Sequence, residues 1–279
     1  MLIERDGAVA ILTINRPERS NGWTPRVSSR YFALLRECAA DATVRAVVLT
    51  GAGPTFCVGA DVDMLDGLAT GTDPRADRAK RASERTPSGR RETPMDYPLG
   101  FPKPIVAAIN GACAGLGLAH ALMCDVRIAA AGATFSTAFV RRGLIAEQGT
   151  SWLLPQLVGR GVAADLLLSG RKFPAEEALQ LGVVNRVLPV DEVLAAAVAY
   201  AADLAANCSP SSMAVIKREL LEHPALPYAE AVRRERTLMF ESWDRRDFKE
   251  GVASFRERRP ASFAPLAPGL ASEFLEPPG

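Results

Sequence analysis

Histidine is scarce: only His120 and His223 occur among 279 residues, too few for a metal site built on a histidine cluster. The five cysteines, Cys38, Cys57, Cys113, Cys124 and Cys208, are scattered, odd in number and free of any C-x-x-C spacing. That excludes a zinc ribbon or a dithiol redox motif, and reduced, mostly buried thiols of a cytoplasmic protein are the expectation. No metal is expected. Neither sign of charge is in excess, with 33 basic and 32 acidic residues and a formal net charge of +1. No global field therefore recruits nucleic acid or an anionic membrane, and neither is expected as a partner. No run of about 18 uncharged apolar residues is present, and the opening MLIERDG is charged from its fourth residue, without an apolar signal core.

Apolar side chains are plentiful, at 48% of the chain, enough for one large domain or one domain plus an appendage. Residues 2–5 and 8–14 alternate or run apolar around Asp6-Gly7, which predicts a tight hairpin. After the polar turn NRPERSNGWT, a helix is predicted over Pro25–Ala40 with Thr24 as its N-cap and Pro25 at its first position. A short buried strand, AVVLT over 46–50, leads through Gly51–Pro54 into FCVGADVDML. Residues 70–98 lose apolar periodicity and read as a long surface loop with room for one short helix. Downstream, 150–158 and 163–169 read as helical, 174–181 as a helix opened by Pro174, 183–188 as a strand, and 191–207 as an Ala-rich helix capped by Asp191. From Ser209 the pattern is helical to about 255–260. Strands alternating with helices, then helices alone, give an α/β class with a helical C-terminal appendage. No internal sequence repeat stands out. The boundaries read as a core over 1–205, a helical region over 206–264 and an irregular tail over 265–279.

The chain is organised around 104–149, PIVAAINGACAGLGLAHALMCDVRIAAAGATFSTAFVRRGLIAEQG. An apolar strand breaks at glycines and runs into a helix, and backbone N–H groups at such a helix start suit an oxyanion or phosphate. A dinucleotide fingerprint does not fit, because His120 stands where its third glycine would be.

NRP near the N-terminus, FCVGAD, PIVAAINGACAGLGLAHALMCDVRIA and ATF, then GRKFPAEEALQLGVVNRVLP and EGVASFRERRPASF, occur in an order that resembles the crotonase (enoyl-CoA hydratase/isomerase) superfamily over about residues 1–264. The resemblance implies a spiral of ββα units with a C-terminal helical region used in trimer formation, hence a homotrimer or a hexamer. It implies an acyl-CoA thioester as substrate, with coenzyme A part of that substrate and no separate cofactor. It further implies an oxyanion hole for the thioester carbonyl, with Ala60 as one backbone donor and Leu116, between Gly115 and Gly117, as the other. Two converging donors stabilise an enolate-like transition state by about 3–4 kcal/mol each. The Leu116 side chain leaves its N–H free to donate but narrows the site. Val58 falls where the family's adenine-binding carbonyl lies, and Arg19 where the nucleotide rests. Asp61 is expected to cap the helix opening at Val62 and so to aim the Ala60 N–H.

The departures from the family pattern bear on the chemistry. The two glutamates of its hydratases correspond to Ala119 and Phe139 here, so the two-carboxylate hydration mechanism cannot be written. Glu147 remains, at a position where some double-bond isomerases of the family carry an acid. An acid raised in pKa by apolar surroundings can shuttle one proton between carbons, and double-bond isomerisation needs no water. The competing reading has Glu147 capping a helix near Gln148 or pairing with Arg141 or Arg142, and Gln148 is a second candidate for positioning substrate. His120 adjoins Ala119 but points about 100° away on a helix, which favours a core or interface histidine. His223 reads as a helix-end residue. Arg81, Arg85, Arg90, Arg91 and the run Arg256, Arg258, Arg259 read as solvated, with a CoA phosphate as the alternative partner, and Trp152 and Phe173 as core. Three functions stay open: a hydratase/isomerase-type enzyme using Glu147, another crotonase chemistry (thioester hydrolysis, decarboxylation or retro-aldol cleavage), or a non-catalytic acyl-CoA-binding protein.

Overall fold

The structure, a computed structural model, describes residues 1–72 and 97–266. Arg81, Arg85, Arg90 and Arg91, nearly all of the loop read over 70–98 and nearly all of the tail read over 265–279 lie outside the described residues.

Strands β1 (Leu2–Asp6) and β2 (Val9–Ile14) form the antiparallel hairpin around Asp6-Gly7, with Gly7 at φ 54°. Helix α1 (Pro25–Ala40) starts as its local signals dictate, the Thr24 side chain accepting from Val27 N–H with Pro25 at the first position. Then β3 (Ala46–Gly51), β4 (Thr55–Cys57) and α2 (Val62–Ala69) follow in order. A short helix α3 (Tyr97–Gly100) precedes β5 (Ile105–Ile109), β6 (Ala112–Ala114) and α4 (Leu116–Leu122). Next come β7 (Val126–Ala130), β8 (Thr134–Ser136) and α5 (Thr150–Ser169), bent at Gly159 with φ 76°.

Strand, strand, helix thus recurs as β3–β4–α2, β5–β6–α4 and β7–β8–α5. The first strands of these units lie side by side in a six-stranded sheet of order β1-β2-β3-β5-β7-β10, and the second strands in a four-stranded sheet of order β4-β6-β8-β9. Pairing along β2-β3-β5-β7-β10 and along β4-β6-β8 is parallel. This is a spiral of ββα turns. It repeats in space although the sequence shows no repeat, because each turn needs only apolar strand residues of the right length. Buried strands such as β3 and β5 accordingly read as unbroken apolar runs.

Several local boundaries differ from the sequence reading. Phe173–Pro174 is β9, paired antiparallel with β8, so Pro174 caps α6 (Ala175–Gln180) rather than opening it. Only Arg186–Leu188 forms strand β10, while Val183 and Val184 are buried in the preceding turn. Helix α7 (Val190–Asn207) is capped by Pro189, and Asp191 lies in its first turn, where a carboxylate complements the helix dipole without capping. Val193, Ala197, Ala201 and Ala205 are buried at every fourth position of α7. This stripe of mostly small side chains lets the helix lie close across β3, β5 and β7.

The C-terminal part is helical: α8 (Pro210–Glu222), α9 (Tyr228–Asp244) and α10 (Arg246–Glu257). Lys217 on α8 ties this region to the spiral, its Nζ bonding Asp125 Oδ2 at 2.5 Å and Lys103 O at 3.0 Å. Lys103 is itself buried and donates to Cys38 O at 2.6 Å and Asp41 O at 2.8 Å, which closes the C-terminus of α1. Among the described residues no single helix is long and apolar enough to cross a membrane.

Candidate active site

The segment after β4 turns sharply at Gly59, which has φ 103°, and brings Ala60 beside Trp23 in an isolated parallel bridge. Trp23 N–H donates to Gly59 O at 2.7 Å and Asp61 N–H donates to Trp23 O at 3.0 Å. In that pattern the residue between, Ala60, turns its own N–H to the opposite side. Asp61 then caps α2, accepting from Asp63 N–H at 3.1 Å, as its place before Val62 predicts. Its carboxylate also pairs with Arg16 at 2.8 Å, and Arg16 donates to Gly22 O at 2.6 Å. Burial alone would raise the Asp61 carboxyl; the hydrogen bonds from Arg16 and Asp63 N–H outweigh it and hold the pKa below the usual aspartate range.

The second segment leaves β6 at Gly115, with φ 51° and its N–H donated to Ser136 O at 3.0 Å. Leu116 is the first residue of α4, so its N–H has no partner within the helix. The helix is only seven residues long, so its start offers this backbone N–H more than a helix dipole. A Cβ on Gly59 would stand 3.2 Å from Ala114 O and 3.6 Å from Leu116 N. The Ala60 and Leu116 segments are therefore in contact with no side chain between them. Leu116 itself is buried, its side chain in the core.

Ala119 and Phe139 are both buried. The Phe139 ring closes on Gly115, with Cε1 3.9 Å from where a Cβ of that glycine would be. Phe139 opens a tight turn, its carbonyl accepting from Arg142 N–H at 2.9 Å and Leu144 N–H at 3.1 Å. The loop then carries Glu147 to the start of α5. There the Glu147 carbonyl, not its carboxylate, accepts from Thr150 N–H at 3.1 Å and Thr150 Oγ1 at 2.7 Å. The helix cap is Gly149, so the capping reading of Glu147 is not what is observed. Nor, among the described residues, does Glu147 pair with Arg141 or Arg142, which donate instead to Ser169 O at 2.9 Å and Ala138 O at 3.2 Å. Glu147 reaches solvent, yet the protein around its carboxyl raises the pKa above the ordinary glutamate value by desolvation. Ala138 and Gln148, at either end of this loop, hold φ of 61° and 55°, a conformation that costs non-glycine residues energy and collects at functional sites.

Val58, half-buried, donates its N–H to Ser20 O at 3.3 Å. It lines a cleft of about 730 Å³ with Ala112, Ala114, Ser136, Ala138, Arg141 and Arg142. Arg19 is exposed and paired with Asp63 at the start of α2. His120 is buried against aromatic rings, as its place on α4 predicts. His223 closes α8, 3.6 Å from Glu235. Phe173 is core, whereas Trp152 is part-exposed rather than core, because it lies on the outer side of α5. Of the basic run, Arg259 pairs with Glu250 at 2.5 Å and Glu257 at 2.6 Å. No cluster of three metal-ligating side chains occurs among the described residues.

Sequence reasoning missed Trp23 and Arg16 as parts of this site. Both act on residues far along the chain, and only the NRP and NGW flanks hinted at them.

The family described as enoyl-CoA hydratase/isomerase matches residues 4–265. The chain is 33% identical over 256 residues to a 1,2-epoxyphenylacetyl-CoA isomerase of Escherichia coli K12, covering 91% of this chain and 94% of that protein. It is 32% identical over 261 residues to an enoyl-CoA hydratase of Alternaria alternata, covering 93% and 84%. Among solved structures, an enoyl-CoA hydratase from Bacillus anthracis superposes with a TM-score of 0.84 at 27% identity, over 94% of this chain and 98% of that one.

Proposed function

The chain belongs to the enoyl-CoA hydratase/isomerase family, the crotonase superfamily, and from that premise we propose that it moves a double bond within an acyl-CoA thioester. It is an enzyme of hydratase/isomerase type. Coenzyme A enters as part of the substrate, and the chemistry needs no separate cofactor. In the proposed reaction the Glu147 carboxylate removes a proton from C2 of a 3-enoyl-CoA. The electron pair flows to the thioester oxygen, and Ala60 N–H and Leu116 N–H hold the resulting dienolate. Protonated Glu147 then returns the proton to C4, leaving the double bond between C2 and C3 and restoring the carboxylate. Val58 O is assigned to the adenine and Arg19 to the nucleotide end, with Asp61 and Gly115 shaping the two donor segments.

The observation that supports this reading is the pairing of two buried apolar residues, Ala119 and Phe139, with one acid, Glu147, on the loop that Phe139 opens, solvent-exposed yet with its pKa raised by the protein around it. Hydration needs groups that hold and deprotonate water, whereas a double-bond shift needs a single base that becomes an acid. The test is turnover of 2-enoyl-CoA and 3-enoyl-CoA by wild type and Glu147→Gln. Wild type should interconvert the two, and Glu147→Gln should bind both without turnover. Full turnover by Glu147→Gln would remove the assignment. Thioester hydrolysis, decarboxylation or retro-aldol cleavage in place of a double-bond shift would favour another crotonase chemistry. Binding without any turnover would favour a carrier.

We also propose a homotrimer or hexamer. Helix α9 has no buried residue in the single chain, and Met239, Phe240, Trp243 and Phe248 are exposed on α9 and α10, an apolar surface that further copies would cover. Sedimentation at micromolar concentration tests this; a monomer would refute it.

A further inference from the structure

The indole of Trp23 lies flat on the imidazole of His120, with ring centroids 3.9 Å apart and planes 22° from parallel. Tyr31 closes the stack edge-on, 5.6 Å from Trp23 and 5.5 Å from His120, and Phe32 lies 6.3 Å from the imidazole. All four side chains are buried. The two stacked rings come from the two segments that carry the donors. Trp23 grips the backbone on either side of Ala60 through its bonds with Gly59 O and Asp61 N–H. His120 lies four residues beyond Leu116 on α4, one helical turn away.

An imidazole is a costly choice for this place if filling space were all that mattered. Its Nδ1 is buried and has no hydrogen-bond partner among the described residues, a destabilising condition that an apolar side chain of similar size would avoid. Burial lowers its pKa to about 3, so the ring is neutral under working conditions and stacks as a flat, uncharged plate. A stack of two planar rings fixes their perpendicular separation, whereas a branched aliphatic side chain can meet a neighbour in several rotamers. Where the Ala60 and Leu116 segments touch, at Gly59, no side chain is present to space them.

We propose that the Trp23–His120 stack sets the spacing between Ala60 N–H and Leu116 N–H, which makes Trp23 and His120 positioning residues for the thioester chemistry. The inference rests on the reading of those two N–H groups as the oxyanion donors. Hydrogen bonds to a developing charge weaken steeply with misalignment, so a loosened stack lowers the rate of proton removal more than it lowers substrate binding.

The experiment combines kinetics with a probe of the carbonyl. Wild type, His120→Leu, His120→Phe and Trp23→Leu are assayed for 3-enoyl-CoA isomerisation and titrated with 4-(dimethylamino)cinnamoyl-CoA, whose absorption moves to the red when its thioester oxygen is polarised. Urea unfolding is measured alongside. His120→Leu should be at least as stable as wild type, because it removes the unpartnered nitrogen. It should nonetheless lose about 10- to 100-fold in kcat, with a smaller change in KM and a diminished red shift. His120→Phe keeps a flat ring and should restore most of both. Trp23→Leu should behave like His120→Leu and serves if that variant fails to fold. Wild-type kcat and red shift in folded His120→Leu or Trp23→Leu, or a His120→Phe as impaired as His120→Leu, would overturn the inference. No red shift in wild type with the probe bound would instead sink the donor assignment itself.

Discussion

One added methyl group tests how closely the two segments proposed to carry the donors are fitted. Gly117 follows Leu116 on α4, and a Cβ built there would stand 2.2 Å from Cys57 O, 2.7 Å from Cys57 Cβ and 2.9 Å from Cys57 C. Ordinary contact begins near 3.4 Å, and the offending atoms are mostly the backbone of β4 rather than the end of a flexible side chain. Cys57 is fully buried and its strand is hydrogen-bonded to β6, so the strain falls on α4. The Gly117→Ala helix must retreat by roughly 1 Å, carrying Leu116 N–H away from Ala60 N–H, and a misplacement of that size can cost about 100-fold in rate. Overpacking of a fitted core also costs about 1–3 kcal/mol of stability. The assays are initial rates of double-bond isomerisation at saturating substrate and urea unfolding followed by circular dichroism. Gly161→Ala is the control. It lies inside α5 with nothing among the described residues within 4 Å of the added Cβ, and it should gain about 0.4–1 kcal/mol with no change in rate. A Gly117→Ala enzyme with wild-type rate and unfolding midpoint would refute the close packing of α4 on β4.

Three further outcomes follow from the same structure. With Glu147 as the proposed base and its pKa raised by desolvation, kcat/KM should fall as pH drops through a value above the ordinary glutamate pKa; an acid limb below that value, or none, would count against the proposal. Asp61→Ala removes the cap of α2 and the partner of Arg16 and should cost about 1–2 kcal/mol in urea unfolding at neutral pH. That difference should shrink in acid, since the stabilisation from a depressed carboxyl pKa is lost as pH falls through the folded value. Burial lowers the Lys103 pKa to about 8, so the folded state sheds this proton before the unfolded state does. Wild-type stability should therefore gain a contribution as pH rises from about 8 toward the ordinary lysine value. Lys103→Met should lack that contribution and lose about 1–3 kcal/mol at neutral pH from the orphaned carbonyls of Cys38 and Asp41.

What the sequence made legible was mostly local. The extent of α1 is encoded within a few residues of Thr24-Pro25, and the cap of α2 in Asp61-Val62, because capping is a short-range exchange of hydrogen bonds. The two segments proposed to carry the donors are marked in the sequence by the ordered motifs FCVGAD and GACAGLGLA. The ββα spiral was not visible as a repeat, since its turns share geometry and not residues. Trp23 escaped notice because its bridge to Ala60 and its stack on His120 join three separate stretches of chain. Asp191 looked like a cap by residue type, yet the chain enters α7 two residues earlier, at Pro189. Glu147 was weighed against capping and pairing with arginine. The structure gives the capping to Gly149 and the arginines to backbone carbonyls, in a loop with φ of 61° at Ala138 and 55° at Gln148.

The central claim is that one carboxylate shifts a double bond where two would add water. Incubation of 3-enoyl-CoA with the enzyme in ¹⁸O-labelled water, with products resolved by mass spectrometry, tests it most directly. 2-Enoyl-CoA is the expected product, with no ¹⁸O incorporated while the double bond moves. Labelled 3-hydroxyacyl-CoA formed as fast as the double bond shifts would contradict it.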